Sequence, residues 1–273
     1  MQDNNKKLNS TFFQLLRPLA RLFLRFGRGY REYSELSKTA FISVASEDYG
    51  VHGRPTNVSR IAAMTGLTRK EISRIRGGLE RGEGIVIERQ TPVREVIEAW
   101  RTTDEFLDAA GEPAVLPFEG DRGSFRSLVK QYAGDIPEGA MKTELKRIGA
   151  AECAGGRFRL LPENPDKQAF EEAMASALRA GPYPLLTAMA RNETVRREGD
   201  KWPLETVSRT TIRKSDVRRV RKLVSVRLRA ATTNIADLLD AYATLQNGDA
   251  TDEKLVPVSA GAFYAEGLDT KDC

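Results

Sequence analysis

The stretch that most constrains this chain runs from Asn57 to Gly77, NVSRIAAMTGLTRKEISRIRG. Ile61 and Ala62 fall inside a short helix that Ser59 or Asn57 can cap. Thr65-Gly66-Leu67 then makes a turn, with Gly66 free to take the left-handed conformation that strains other residues. Thr68-Arg69-Lys70-Glu71 has capping-box spacing and starts a second helix. Ile72 and Ile75, with Leu67 before them, mark its buried face, and the whole pattern fits a helix-turn-helix. On the outer face stand Arg69, Lys70, Ser73, Arg74 and Arg76, all donors suited to phosphates or base edges. The competing reading is a helical hairpin in a bundle with a solvated basic face. The cluster of donors on one helix favours nucleic acid.

Charge distribution agrees with that reading. Residues 1 to 90 carry 16 Lys/Arg against 9 Asp/Glu, whereas residues 91 to 165 carry 10 against 13. The basic excess therefore sits with the motif, as an electrostatic footprint on DNA requires. Apolar content of 40% with 30% charged residues suits a folded globular chain, and 273 residues leave room for two domains with an added helical arm. Cys153 and Cys273 fit no metal or redox spacing, so a reduced cytoplasmic setting is expected, with no cofactor and no metal. His52 is the only histidine, and no glycine-rich phosphate loop, Gly-x-Ser-x-Gly or clustered metal-ligand spacing occurs, so an enzyme is not expected.

Upstream of the motif, Phe12, Leu15, Leu16, Leu19, Leu22, Phe23 and Phe26 recur at helical spacing, with Arg17, Arg21, Arg25 and Arg28 on another face. Residues 1 to 10 are polar and expected to fray, and Pro18 marks a possible helix start, since proline is best tolerated in a first turn. The arginines and Pro18 break the stretch too often for a membrane span; a surface helix or a basic presequence is the alternative. Gly27 and Gly29 end this helix. A further helix from about Tyr30 to Ala45 is expected to present Tyr33, Leu36, Ala40, Phe41 and Val44 to the same core. The loop Tyr49 to Pro55 follows, where Arg54 and Asn57 are candidates for DNA backbone contacts.

After the motif, Ile85-Val86-Ile87 is a β-prone run suited to one strand of a wing. Glu95 to Leu107 looks helical, and Gly111 to Asp121 reads as a loop. Two helices are then expected, the first carrying Phe125, Leu128, Val129 and Tyr132 and the second running from Glu138 to Ile148. A β-hairpin follows around Ala154-Gly155-Gly156. Helix, helix, hairpin is the order of a winged helix. Its second helix mixes Lys142, Lys146 and Arg147 with Glu138 and Glu144, which favours a structural or protein-contact use. From Asp166 the chain is helical again, ending in a long helix from about Asp216 to Gln246. Its first half is basic, offering phosphate contacts or a solvated face. In its second half Ile235, Leu238, Tyr242 and Leu245 either pair with their copies across a two-fold axis or pack on their own subunit. Residues 247 to 273 read as a loose tail.

The segments LLRPLARLFLRFGRGYREYSELSKTAF, RPTNVSRIAAMTGLTRKEISRIR and SFRSLVKQYAGDIPEGAMKTELKRIG together resemble an uncharacterised bacterial family, a domain of unknown function with a predicted helix-turn-helix. The resemblance spans roughly residues 14 to 162. It implies a bacterial cytosolic protein and supplies neither ligand, target sequence nor activity.

The expected architecture is mainly α: residues 1–110 as an N-terminal helical domain with the helix-turn-helix, 111–165 as a second winged-helix-like unit, and 166–273 as a helical region. The expected function is DNA binding as a homodimeric transcriptional regulator. Arg69 and Arg74 are assigned to base edges, and Arg60, Lys70, Ser73 and Arg76 to phosphates, with Arg54, Asn57 and Thr68 beside them. Double-stranded DNA is the expected partner and no membrane is. The alternatives are a sequence-indifferent DNA organiser or single-strand binder, and a winged-helix module that binds other proteins.

Overall fold

Apolar side chains three and four residues apart, closed off by glycines, give a mainly helical chain with one small sheet. The computed structural model describes residues 2–51, 54–85, 90–162, 164–246 and 255–267. The chain divides into two units, Met1–Glu163 and Asn164–Cys273.

The first unit begins with α1 (Gln2–Arg25), α2 (Tyr30–Glu47), α3 (Val58–Thr65) and α4 (Arg69–Glu80). Ile42 and Ala45 from α2, Ile61 from α3, and Ile72 and Ile75 from α4 meet in a small core, with Val58, Ala62 and Leu67 at its margin. Burial of these side chains, worth about 1.5–3 kcal/mol for each large one, is what holds the three helices together. The buried stripe of α2 differs from the expected one. Thr39, Ile42 and Ala45 are inside, while Ala40, Phe41 and Val44 are exposed, because the helix turns its slimmer face towards the isoleucines of α3 and α4.

Helix α1 also departs from expectation. It starts at Gln2 and carries Pro18 in its interior, because the apolar stripe continues back through Phe12 to Leu8, giving the helix one face on both sides of the proline. Its C-terminal end is the part that docks. Phe23 meets Tyr33 of α2 edge-on at 5.5 Å, and Arg147 donates to the Leu24 carbonyl at 2.8 Å. Phe12, Leu15 and Leu16 are exposed and join no core.

A second, larger core follows. It is built by α5 (Pro92–Thr102), a 3₁₀ turn at Asp104–Phe106, β1 (Leu116–Pro117), α6 (Phe125–Tyr132), α7 (Glu138–Arg147), β2 (Ala151–Ala154) and β3 (Arg157–Leu160). The sheet is antiparallel in the order β1-β3-β2, with Leu116 opposite Phe158 and Cys153 opposite Phe158 on the other side. Gly155 and Gly156 both have positive φ, as a two-residue hairpin turn requires. Strand β1 lies within the stretch expected to be a loop; two residues, one a proline, carry no periodicity to read. Trp100, Phe106, Phe125 and Phe158 are fully buried here, and Phe125 stacks on Phe158 at 4.4 Å. The apolar face of α5, Val96, Ala99 and Trp100, lies in this second core rather than the first.

Glu32 fastens the two cores together. Its carboxylate is 2% exposed and accepts the Gly29 amide at 2.9 Å and the Thr91 amide at 3.1 Å, the residues just before α2 and α5. The approach is close enough that a Cβ on Gly29 would lie 2.5 Å from Thr91 Cγ2, so only glycine fits.

The second unit consists of α8 (Pro165–Ala180), α9 (Pro182–Thr194), a 3₁₀ turn at Glu198–Asp200, an irregular stretch after it and α10 (Val217–Gln246). Helices α8 and α9 pack on one another across Gly181, and Trp202 is held by reciprocal bonds with Asn192 and by the Arg191 guanidinium 4.7 Å above its ring. Among the described residues no helix is long and apolar enough to cross a membrane. Val86, Ile87, His52, Cys273 and part of the expected tail lie outside the described residues.

Candidate nucleic-acid interface

Caps set the positions of α3 and α4. The Asn57 side chain accepts the Arg60 amide at 2.9 Å, Gly66 closes α3 with φ +74°, and the Thr68 hydroxyl accepts the Glu71 amide at 3.2 Å. The same hydroxyl donates to the Glu71 carboxylate at 3.1 Å. With Ile72 and Ile75 inward, Arg69, Lys70, Ser73 and Glu80 stand exposed on α4, and Arg76 is half-buried beside Ile72.

The nine candidate DNA-contact residues separate into two groups. Asn57 and Thr68 are occupied as caps, and Arg60 donates to the Tyr49 carbonyl at 2.9 Å. Arg76 bonds Glu80 at 2.8 Å and the Thr56 carbonyl at 3.1 Å, holding the loop before α3 against α4. Arg74 donates to Glu35 of α2 at 3.2 Å. Four side chains remain: Arg54, Arg69, Lys70 and Ser73 are exposed and make no side-chain hydrogen bond or ion pair among the described residues. Arg69, Lys70 and Ser73 share the first turns of α4, and Arg54 precedes α3.

What the sequence did not reveal is the ionic clamp behind them. Lys38 of α2 lies 2.9 Å from Glu35 and 3.1 Å from Glu71, so Glu35, Lys38, Glu71 and Arg74 form a chain of alternating charge from α2 to α4. Glu35 and Lys38 are three apart on one helix, a legible pair, but their partners on α4 come from a tertiary contact. Hydrogen bonding from Lys38 first, and from Arg74 after it, holds the Glu35 carboxyl below the ordinary carboxylate value. Lys38, then Thr68, lowers Glu71, and Glu35, then Glu71, raises Lys38.

These directions fix a pH dependence. The two depressed carboxyls contribute stability above their ordinary value of 4.5 and lose it as pH falls through their folded values; raised Lys38 contributes below 10.5 and loses its contribution as pH rises past it. The stability difference between wild type and Glu35→Gln, followed by thermal unfolding, is therefore expected to be constant across neutral pH and to shrink below pH 4.5. A difference independent of pH down to full protonation would contradict the clamp.

In the second core, α7 has most of its charges engaged, with Lys146 exposed and making no side-chain bond among the described residues. Lys142 lies 5.5 Å over Phe118 and 5.6 Å over Phe158, Arg147 pairs with Glu144 and the Leu24 carbonyl, and Glu138 bonds Arg126. In α10, Ile235, Leu238, Tyr242 and Leu245 are all exposed. Among the described residues no group of three His, Cys, Asp or Glu side chains is placed to hold a metal ion.

A family model described as a family of unknown function (DUF6502) matches residues 5–163, which is more than half of the chain. The chain belongs to that family, and the match ends where the first unit ends. Comparison with curated proteins and with solved structures finds no match.

Proposed function

We propose that this DUF6502 chain is a DNA-binding protein that lays α4 in a major groove and acts as a dimeric transcriptional regulator in the bacterial cytoplasm. The observation that carries the reading is the unoccupied donor set on α4. Arg69, Lys70 and Ser73 project from the first turns of the helix with no partner among the described residues, while the neighbouring Arg74 and Arg76 are used to fix the helix in place. Free donors at the N-terminal end of a helix held by caps and an ionic clamp are what base and phosphate contacts need. Arg69 is assigned to base-edge readout, Lys70, Ser73 and Arg54 to phosphates, and Arg74 to positioning.

The α2–α3–α4 arrangement supports a helix-turn-helix, and the order α5-β1-α6-α7-β2-β3 with sheet order β1-β3-β2 supports a winged helix after it. Lys142, Arg147, Glu138 and Glu144 of α7 are all engaged and only Lys146 stands free among the described residues, which favours a structural role for that second module. Dimerisation is assigned to the exposed seam Ile235, Leu238, Tyr242 and Leu245, which recurs at spacings of three, four and three. Full-length protein should be a dimer by light scattering, and Leu238→Asp with Leu245→Asp should give a monomer with unchanged helix content. A wild-type monomer at micromolar concentration, alone and on DNA, would remove the dimer from the proposal. DNA binding itself is tested by titrating a pool of random-sequence duplex, for which retention at moderate salt is expected.

A further inference from the structure

From Thr206 to Arg229 the chain holds nine lysines and arginines and a single acid, Asp216. The first part of this segment has no regular structure and is exposed; the second is the first half of α10. Asp216 precedes α10 and lies three residues from Arg219; the first acid within the helix is Asp237, so Arg218, Lys222 and Arg229 have no carboxylate three or four residues away. A helix face that is merely solvated usually interleaves both signs. Here Arg218 and Lys222, four apart on one face, repel each other.

Arg218, Lys222 and Arg229 fall along one stripe of α10, about 16 Å from first to last at the helical rise. All three are exposed, and their side chains make no hydrogen bond or ion pair among the described residues. Arg221 beside them is the exception, since it pairs with Glu266, whose carboxyl it holds below the ordinary range. We infer that this stripe, with Arg213 and Lys214 just before it, is a second nucleic-acid contact that grips the phosphodiester backbone of a duplex without reading bases.

The other face of the helix decides between nucleic acid and a lipid surface. A helix that lies in a bilayer keeps a bare apolar stripe opposite its cations. In α10 the side made by Val217, Val220, Val224 and Leu228 is half-buried in the protein, and the exposed Leu223 and Val226 share their stripe with exposed Arg219 rather than forming an apolar face free of charge. A polyanion met from outside, one charge for every ~1.7 Å of duplex axis, suits a line of unpaired cations. The inference deepens the proposed function and rests on it for the class of ligand, not for the residues.

The test uses full-length protein and short random-sequence duplex, titrated at a series of salt concentrations. Arg218→Ala/Lys222→Ala/Arg229→Ala is expected to lower the slope of log K against log salt by about 2–3, near 0.9 for each phosphate no longer neutralised. The charge-retaining Arg218→Lys/Arg229→Lys should keep the wild-type slope. An unchanged slope in the alanine variant overturns the inference, and so does an equal fall in the lysine variant, which would report damage to the helix. Binding to anionic phosphatidylglycerol vesicles that disappears in the alanine variant, with its duplex slope intact, also overturns it. Arg69→Ala/Lys70→Ala is carried through the same titrations. If that variant behaves as wild type while the slope falls in the α10 variant, the reading of α4 fails and the α10 contact stands. The opposite pattern removes the α10 contact and leaves α4 as the DNA-binding helix.

Discussion

Replacing Trp100 with alanine is expected to lower the stability of the first unit by about 3–5 kcal/mol, the range for large aromatic deletions in a packed core. Trp100 has no exposed surface, lies 6.1 Å from the Phe125 ring and donates from Nε1 to the Ala114 carbonyl at 3.0 Å. The substitution therefore opens a cavity beside Phe125 and strips a side-chain anchor from the segment that leads into β1. Ala114 is also tied to the Phe106 carbonyl through its amide, so loosening this segment disturbs the turn after α5 as well. Chemical denaturation followed by circular dichroism measures the effect. Phe12→Ala, a deletion of similar chemistry at an exposed position of α1, should cost less than about 0.5 kcal/mol. A Trp100→Ala protein within about 1 kcal/mol of wild type would mean that the second core is not built as described.

The second large effect concerns binding. Arg69→Ala/Lys70→Ala should abolish selective retention on DNA while keeping the wild-type melting temperature, because neither side chain has a partner among the described residues. A bidentate base contact discriminates by about 1–3 kcal/mol, so removing Arg69 alone should erode selectivity roughly ten- to hundredfold. Arg74→Ala behaves differently. It removes the guanidinium from Glu35, so a fall in melting temperature should accompany any weakening of binding. Equal selectivity in wild type and the Arg69→Ala/Lys70→Ala variant, measured by competition with random duplex, would sink the assignment of α4 as the reading helix.

Local chemistry made the centre of this fold legible. Asn57, Gly66 and Thr68 announce two caps and a turn within twelve residues, and Ile61, Ile72 and Ile75 lie inward as their spacing requires. The hairpin at Gly155-Gly156 was readable for the same reason. Tertiary choices were not. Spacing identified an apolar face on α1 but could not say what covers it, and Phe12, Leu15 and Leu16 turn out to be exposed. On α2 two adjacent stripes were available, and docking against isoleucines selected Ile42 and Ala45 over Phe41 and Val44. The candidate site shows the same limit. Arg69 and Arg74 look equivalent along the chain, and only the position of Glu35, 39 residues earlier, separates a free donor from a clamped one.

Base readout by α4 is best measured by selecting bound sequences from a random-duplex pool with the wild-type protein, then competing the enriched duplex against the starting pool at physiological salt. Enrichment of a defined sequence is expected, with a specificity ratio of at least about 10³ over random duplex, and it should disappear in Arg69→Ala/Lys70→Ala. A pool that returns unenriched, or an enriched sequence that the variant binds as tightly as wild type does, would contradict sequence-specific recognition by this helix.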